Sequence, residues 1–392
     1  MRSGTRARAF RESGRIQALA GLLACAACIH APEEGIPVRV GLIVSERADA
    51  NLILAARLAL EETNAAGGLR VGPATRRLAL VVADGRESPE GATTAARTLV
   101  NREAVVAIVG PYDSHEAVPV ARLCEQVGIP MIAIGSTSPA TTAGKRWVFR
   151  ACFSDTLQGR VLARFARERL RARRTAVLYD VAQGYSRDLA RIFRTEFEAA
   201  GGQVVAFESF TTDQQGFGPA LGRIREARPQ VLFLPGLRAG SVARQASEAR
   251  ALRIGAVLLG SDGWDYAGFA ALPEFDGPYF SSHWRRDYGA PESLAFVETF
   301  RRAGALHGET EALTWDACRL LVEAIRYSGS VTPEAIRQGL ASMGEFRGAT
   351  GLMRFSGQDP LKTVFVSQFR QGAHVLVQQV DPEAPAGVRA AP

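Results

Sequence analysis

From residue 37 the chain alternates short apolar, β-branched runs with longer stretches whose apolar residues recur every three or four positions. The run Val38-Arg39-Val40-Gly41-Leu42-Ile43-Val44 predicts a buried strand, and residues 49–64 place Ile53, Ala56, Ala59 and Leu60 on one face of a helix. Gly67 and Gly68 end that helix, because glycine enters the left-handed region without a steric cost. Further strands are expected at 78–84, 105–110 and 130–135, then at 175–180, 203–210, 230–235 and 256–261, with helical patterns in between. Strand and helix in alternation at this spacing predict parallel sheets joined by crossover helices. About four strands precede Trp147-Val148-Phe149-Arg150 and about four more precede Pro278-Tyr279-Phe280, which favours two sheets over one. Helices near 291–303, 309–327 and 333–342 follow, then strands at 351–355, 363–369 and 374–380. No internal sequence repeat is visible.

Composition leaves this picture intact. The 392 residues are 47% hydrophobic and 22% charged, ordinary globular usage that excludes collagen, mucin and a small disulfide-stapled scaffold. The net charge of +7 raises nucleic acid or a membrane surface as partners. Five arginines (Arg2, Arg6, Arg8, Arg11, Arg15) and one glutamate (Glu12) in residues 1–24 account for four of those seven charges, leaving +3. The rest are arginines scattered along helical patterns, with Lys145 and Lys362 the only lysines. No basic patch interleaved with aromatics appears, so no nucleic-acid partner is expected.

The basic start, the uncharged stretch from Ile16 to Ala24 and the small residues after it follow the grammar of an export signal. The apolar stretch is too short for a membrane span, which takes ~20 residues. Leu22-Leu23-Ala24-Cys25 resembles a lipoprotein cleavage box in which Cys25 would be acylated, and Cys28 is a second candidate. Ordinary cleavage near Ala27 or Ala31 is the other reading. Residues 1–28 are therefore read as a signal or lipoprotein segment of an exported, periplasmic protein, with a lipid anchor in the first case. Cys124, Cys152 and Cys318 lack metal-ligand spacing; Cys124 and Cys318 fall on apolar helix faces and read as buried thiols. Export permits a disulfide among the three, but the sequence pairs none of them.

In open α/β sheets, ligands sit beyond the carboxyl ends of the strands. Four strand ends carry chemistry here: Pro111-Tyr112-Asp113-Ser114, Ser136-Thr137-Ser138-Pro139, Asp180 followed by Gly184-Tyr185-Ser186, and Ser261-Asp262-Gly263-Trp264. The first two offer hydroxyls and free backbone N–H groups at helix starts, an arrangement that receives a carboxylate. The other two offer a phenol and a carboxylate, suited to accept hydrogen bonds from an ammonium. Each also suits a simple structural role, since Asp113, Ser114 and Ser138 are ordinary helix caps and Asp262-Gly263 an ordinary turn. Their joint occurrence favours a cleft for a zwitterion.

These stretches resemble the type I periplasmic binding protein family, in its branched-chain amino-acid (leucine, isoleucine and valine) branch. The resemblance is carried by Ala59-Leu60-Glu61-Glu62-Thr63-Asn64-Ala65-Ala66-Gly67-Gly68, Gly110-Pro111-Tyr112-Asp113-Ser114, Gly128-Ile129-Pro130-Met131-Ile132, Ser136-Thr137-Ser138-Pro139, Phe149-Arg150, Gly184-Tyr185 and Gly260-Ser261-Asp262-Gly263-Trp264, in order over about residues 37–380. It implies a two-lobed α/β fold of parallel sheets flanked by helices, with three hinge crossovers. Lobe 1 would comprise 37–151 and 283–357, lobe 2 would comprise 152–282 and 358–380, and 381–392, rich in Pro and Ala, would be a disordered tail. By position, the resemblance implies that Ser114 binds the ligand carboxylate with Ser136 and Thr137 beside it, that Tyr185 faces the ligand, and that Asp262 holds the ammonium. It further implies a monomer that hands an amino acid to an ABC permease, with no cofactor and no metal. Two departures bear on the side-chain pocket: Pro235-Gly236-Leu237-Arg238 and Glu46-Arg47-Ala48-Asp49 both lack an aromatic residue seen in family members.

Catalytic signatures are absent: no H-E-x-x-H, G-x-S-x-G, P-loop or glycine-rich dinucleotide loop occurs. His115, His283, His307 and His374 are isolated along the sequence, and His115 reads as a surface residue. Trp264 and Trp284 suit either a cleft wall or packing; Trp315, on a helix with Leu313 and Leu320, suits packing. The reading is a binding protein, not an enzyme. A sensor that binds an amide or small acid and reports to a regulatory partner is the alternative within binding proteins, and an α/β hydrolase or transferase is the alternative outside them.

Overall fold

The computed structural model describes residues 35–44, 50–265 and 267–382. The export segment with Cys25 and Cys28, the loop Glu46-Arg47-Ala48-Asp49 and the tail from 383 lie outside the described residues.

The elements run β1 (Val38–Val44), α1 (Ala50–Ala65), β2 (Leu69–Val71), β3 (Ala74–Arg76), β4 (Leu78–Asp84), α2 (Pro89–Asn101), β5 (Ala107–Val109), α3 (Ser114–Val127), β6 (Met131–Ala133) and β7 (Val148–Arg150). They continue α4 (Asp155–Arg164), β8 (Arg174–Asp180), α5 (Gly184–Ala199), β9 (Gln203–Phe210), α6 (Gly218–Ala227), β10 (Val231–Leu234), α7 (Ala239–Ala251), β11 (Val257–Gly260) and β12 (Tyr279–Ser282). The last are α8 (Pro291–Arg302), α9 (Glu309–Ser328), α10 (Pro333–Ala341), β13 (Glu345–Gly348), β14 (Gly351–Phe355), β15 (Pro360–Lys362), β16 (Val364–Arg370) and β17 (Ala373–Val380).

Two main sheets form. One is five-stranded and parallel, in the order β4-β1-β5-β6-β7, and the other is seven-stranded, in the order β17-β16-β12-β11-β10-β8-β9. In the second sheet β9 through β12 are parallel neighbours, while β16 and β17 add antiparallel at the β12 edge. The chain passes from the first sheet to the second after β7, leaves it for α8 after β12, and returns between β15 and β16. These are three crossovers.

Both faces of each sheet are covered, so the strands are continuous apolar runs rather than alternating ones. On the first sheet, β1 sends Val40 and Leu42 into a core with α1, α8, α9 and α10, while Ile43 faces α2 and α3. On the second, Phe233 and Leu259 pack with Phe193 and Phe197 of α5, while Leu232 and Leu258 pack with α6, α7 and the ring of Trp264. Each such side chain contributes about 1.5–3 kcal/mol on burial. Cys124, Cys152 and Cys318 are free buried thiols in this core, and burial pushes each pKa up to about 12.

Three details differ from the expectations. β7 is a fifth strand of the first sheet, and β2, β3, β12, β13 and β15 appear where no strand was read, because each breaks its apolar run with a polar or charged residue within three or four positions. Asp381 and Pro382, placed in a disordered tail, are held: Asp381 Oδ1 accepts from Thr363 Oγ1 at 2.8 Å and the Pro382 carbonyl from Arg354 at 2.6 Å. Among the described residues no helix is long and apolar enough to cross a membrane.

Candidate functional site

Beyond the carboxyl ends of β5, β6, β8, β10, β11 and β12 lies one cavity of about 1010 Å³, bordered by residues of both sheets. Ser114, Thr137, Tyr185 and Asp262 line it, whereas Ser136 is fully buried directly behind the wall. The structure thus brings the five sequence-derived residues together.

The first wall is built from helix starts. Ser114 is the first residue of α3, whose cap, Asp113, makes no side-chain hydrogen bond to the helix, so the leading amide N–H groups are not closed by it. Ser136 Oγ donates to Ser114 Oγ at 3.1 Å and shares a 2.6 Å contact with Thr141 Oγ1. Ser138 N donates to Ser114 Oγ at 3.4 Å, so the two loops are tied at this hydroxyl. The Thr137 hydroxyl is buried and makes no hydrogen bond of regular geometry. Beneath the loop, the fully buried Arg150 at the end of β7 donates to the carbonyls of Ser136 (2.7 Å) and Ser138 (2.9 Å), to Thr142 Oγ1 (2.7 Å) and to Asp359 (2.7 Å). Gly135 leaves the space that the Tyr112 ring fills; a Cβ there would lie 2.5 Å from that ring.

The opposite wall centres on Asp262. Its Oδ1 accepts the hydroxyl proton of Tyr185, and its Oδ2 lies 3.2 Å from His283 Nε2. Its amide donates to Gln158 Oε1 at 3.0 Å, and Gln158 in turn donates to the buried Asp155 at 3.4 Å. The phenol therefore acts first as a donor to the carboxylate; only its lone pairs remain to accept from a ligand. Burial raises the pKa of Asp262, but the hydrogen bonds of His283, Tyr185 and Gln158 outweigh it, so the net shift is downward and the group stays ionised. Burial pushes His283 down against the pull of Asp262, which keeps the imidazole neutral, and its ring stacks on Phe153 at 3.5 Å.

Other groups were missed in the sequence. Asp155, the first residue of α4 behind the Ser154 cap, is fully buried; burial and Asp262 hold its pKa well above the usual range, and one of its oxygens has no partner. Glu309, at the start of α9, accepts from the amides of His283 (2.5 Å) and Trp284 (3.3 Å) on the crossover after β12. Its burial, with Asp265 and Asp262 nearby, raises its pKa well above 4.5. His115, His307 and His374, isolated in sequence, line the cavity, and so does Trp284, whereas Trp264 and Trp315 are buried in packing. Only three-dimensional neighbours give these residues a role, and a lone His or Glu in sequence carries no signal of them. Asp180 points elsewhere: it accepts from Thr212 at 2.7 Å and from the Ala182 amide at 2.9 Å. Among the described residues no cluster of His, Cys, Asp and Glu could hold a metal.

The chain matches the sequence profile of a family described as "Periplasmic binding protein" over residues 37–372. An amino acid binding protein of Pseudomonas aeruginosa is 29% identical over 293 residues, 72% of this chain and 75% of that one. A Leu/Ile/Val-binding protein homologue of Brucella abortus is 26% identical over 326 residues, 80% of this chain and 84% of that one. The crystal structure of a leucine binding protein from Thermotoga maritima superposes with a TM-score of 0.79 at 27% identity, covering 88% of this chain and 99% of that one.

Proposed function

The chain belongs to the periplasmic binding protein family, whose members bind solutes rather than transform them, and from that premise we propose that it captures an amino acid between its two sheets and hands it to an ABC permease. One observation carries the reading: a hydroxyl and amide wall (Ser114, Thr137, with Ser136 behind) and an ionised carboxylate (Asp262) line the same cavity. The first receives a carboxylate without a counter-cation, as helix N-termini do. The second receives an ammonium. Relatives named for amino acids, and for leucine, isoleucine and valine, support the zwitterion.

Ligand bridging both walls favours a closed arrangement, with the three crossovers as the hinge, and the closed surface is what the permease reads. Export, and an anchor on Cys25 or Cys28 where the segment is lipidated, would hold the protein beside that permease. The test is titration calorimetry of the purified protein with the twenty amino acids, repeated on Ser114→Ala and Asp262→Ala. Binding of at least one amino acid, weakened in both variants, is expected. Wild-type affinity in both variants removes the site assignment, and silence from every amino acid removes the zwitterion.

A further inference from the structure

The cavity is larger than a zwitterionic head group needs, and its remaining wall is mixed: the rings of Tyr112, Phe280 and Trp284 stand beside a set of charged groups. Leu237 and Ala239 are the only aliphatic side chains among its described lining residues. A leucine-like side chain placed there would still displace water from those charged groups.

The charged groups of that wall differ in how far they are already engaged. Each lining carboxylate interacts within the protein: Asp262 with Tyr185 and His283, Asp265 with His374 at 3.3 Å, Asp287 with Arg285 at 2.6 Å, and Glu309 with two backbone amides. Glu87 and Asp113 also have partners. Arg285 is engaged as well, by Asp287, Ser367 and the His374 carbonyl. Two guanidiniums are not. The Arg238 guanidinium makes no hydrogen bond or ion pair with any described residue, while its carbonyl accepts from Val242 N at 3.0 Å, and the Arg286 guanidinium donates only to the His307 carbonyl, at 3.2 Å.

Both are exposed residues of the cavity lining, on segments that adjoin the Asp262 turn. Arg238 follows the loop Gly236-Leu237, which packs so closely on the Asp262-Gly263 turn that a Cβ on Gly263 would lie 2.5 Å from the Gly236 carbonyl oxygen. Arg286 lies three residues beyond His283, whose ring contacts Asp262. A guanidinium is a planar fork whose donors match a carboxylate in pairs.

We propose that the ligand carries a second carboxylate, as an acidic amino acid of the glutamate or aspartate type does, and that Arg238 and Arg286 hold that group. The proposal rests on the amino-acid reading for the other end of the ligand. It is tested by calorimetry of the purified protein with L-glutamate, L-glutamine, L-leucine and glutarate, at low and high salt, and by the same titrations on Arg238→Gln and Arg286→Gln. L-glutamate should bind at least ~10-fold more tightly than L-glutamine and L-leucine, since the loss of one charge-assisted partner is of that order. Its affinity should fall with salt and fall ~10-fold or more in each variant. The comparison of glutamate with its neutral isostere uses the wild-type protein alone and so stands even where a variant folds poorly. Leucine binding more tightly than both glutamate and glutarate overturns the proposal and leaves the amino-acid reading standing. Glutarate binding where no amino acid does supports the second carboxylate and removes the zwitterion. No binding of any of the four overturns the proposal.

Discussion

Asp262 is held by groups far from it in sequence: its carboxylate by Tyr185 from α5 and His283 from the crossover after β12, and its amide by Gln158 Oε1 from α4. Together they keep a buried carboxylate ionised against the cost of its burial. Tyr185→Phe removes one donor and nothing else of the side chain's packing. A hydrogen bond to a charged group contributes about 1.5–3 kcal/mol, so affinity for an amino acid should fall roughly 10- to 100-fold. The sign of the pH effect follows from the direction of the shift. Asp262 lies below its ordinary pKa, so the proposed ammonium binding there should persist into acid and be lost as pH falls through that lowered value. In Tyr185→Phe the loss should begin at higher pH, which affinity measured across the acidic range would show; an unchanged acid limb would mean that the phenol does not act on Asp262. At this scale the sequence exposed Ser114, Tyr185 and Asp262, because each follows a strand that its own residues announce. It hid His283, Asp155 and Glu309, because their roles come from partners more than twenty residues away: His283 meets Asp262 and Glu309 only in the folded chain.

The elements were legible wherever the chain showed a helical period or an unbroken apolar run. β1, β4, β8 and β9 have seven or eight residues and stand where their apolar runs placed them, as do α8, α9 and α10 to within a residue or two. The three-residue strands β2, β3, β7 and β15 were not seen, and neither was the turn of π-helix at Phe165–Arg169 that prolongs α4. Two junctions between elements carry measurable consequences. At the end of β11, Gly260 has the Trp264 ring against its backbone, and a Cβ there would lie 2.0 Å from it. Gly260→Ala should therefore push Trp264 out of its core and cost about 1–3 kcal/mol, read as a lowered midpoint in denaturant unfolding; an unchanged midpoint would show that the ring yields freely. At the start of α9, Glu309 has a pKa raised above 4.5 by burial, Asp265 and Asp262. A raised carboxyl contributes stability that is complete below its unfolded value and lost as pH rises through its folded value. Glu309→Gln keeps an oxygen for the amides of His283 and Trp284 and cannot ionise. Its stability should decline less than that of the wild type as pH rises from 4.5 upward, and parallel pH profiles of the two proteins would rule out Glu309 as the source.

At the scale of the whole molecule, the site exists only because two sheets face one cavity, and the chain that joins them is itself tied together. Arg150 closes β7, where the first crossover begins, and its Nε donates to Asp359, just ahead of β15 and the third crossover. The same guanidinium holds the Ser136 and Ser138 carbonyls of the carboxylate wall. It thereby couples the position of the proposed carboxylate-binding loop to two of the passages about which the lobes would move. A ligand that bridges Ser114 and Asp262 has differential contact with the closed arrangement and shifts the population toward it. Two measurements separate bridging from simple binding. Bound ligand raises the melting temperature in proportion to the logarithm of its concentration over its dissociation constant, wherever it sits. Only a bridging ligand also compacts the molecule, so the radius of gyration from small-angle scattering should fall at saturation. In Arg150→Met, buried acceptors lose their donor at about 1–3 kcal/mol each, so the variant should melt lower and bind more weakly. At ligand concentrations high enough to saturate it, compaction should still occur, since both poles remain. A rise in melting temperature without compaction in the wild-type protein would place the ligand on one wall alone and end the hinge reading, whatever the affinity.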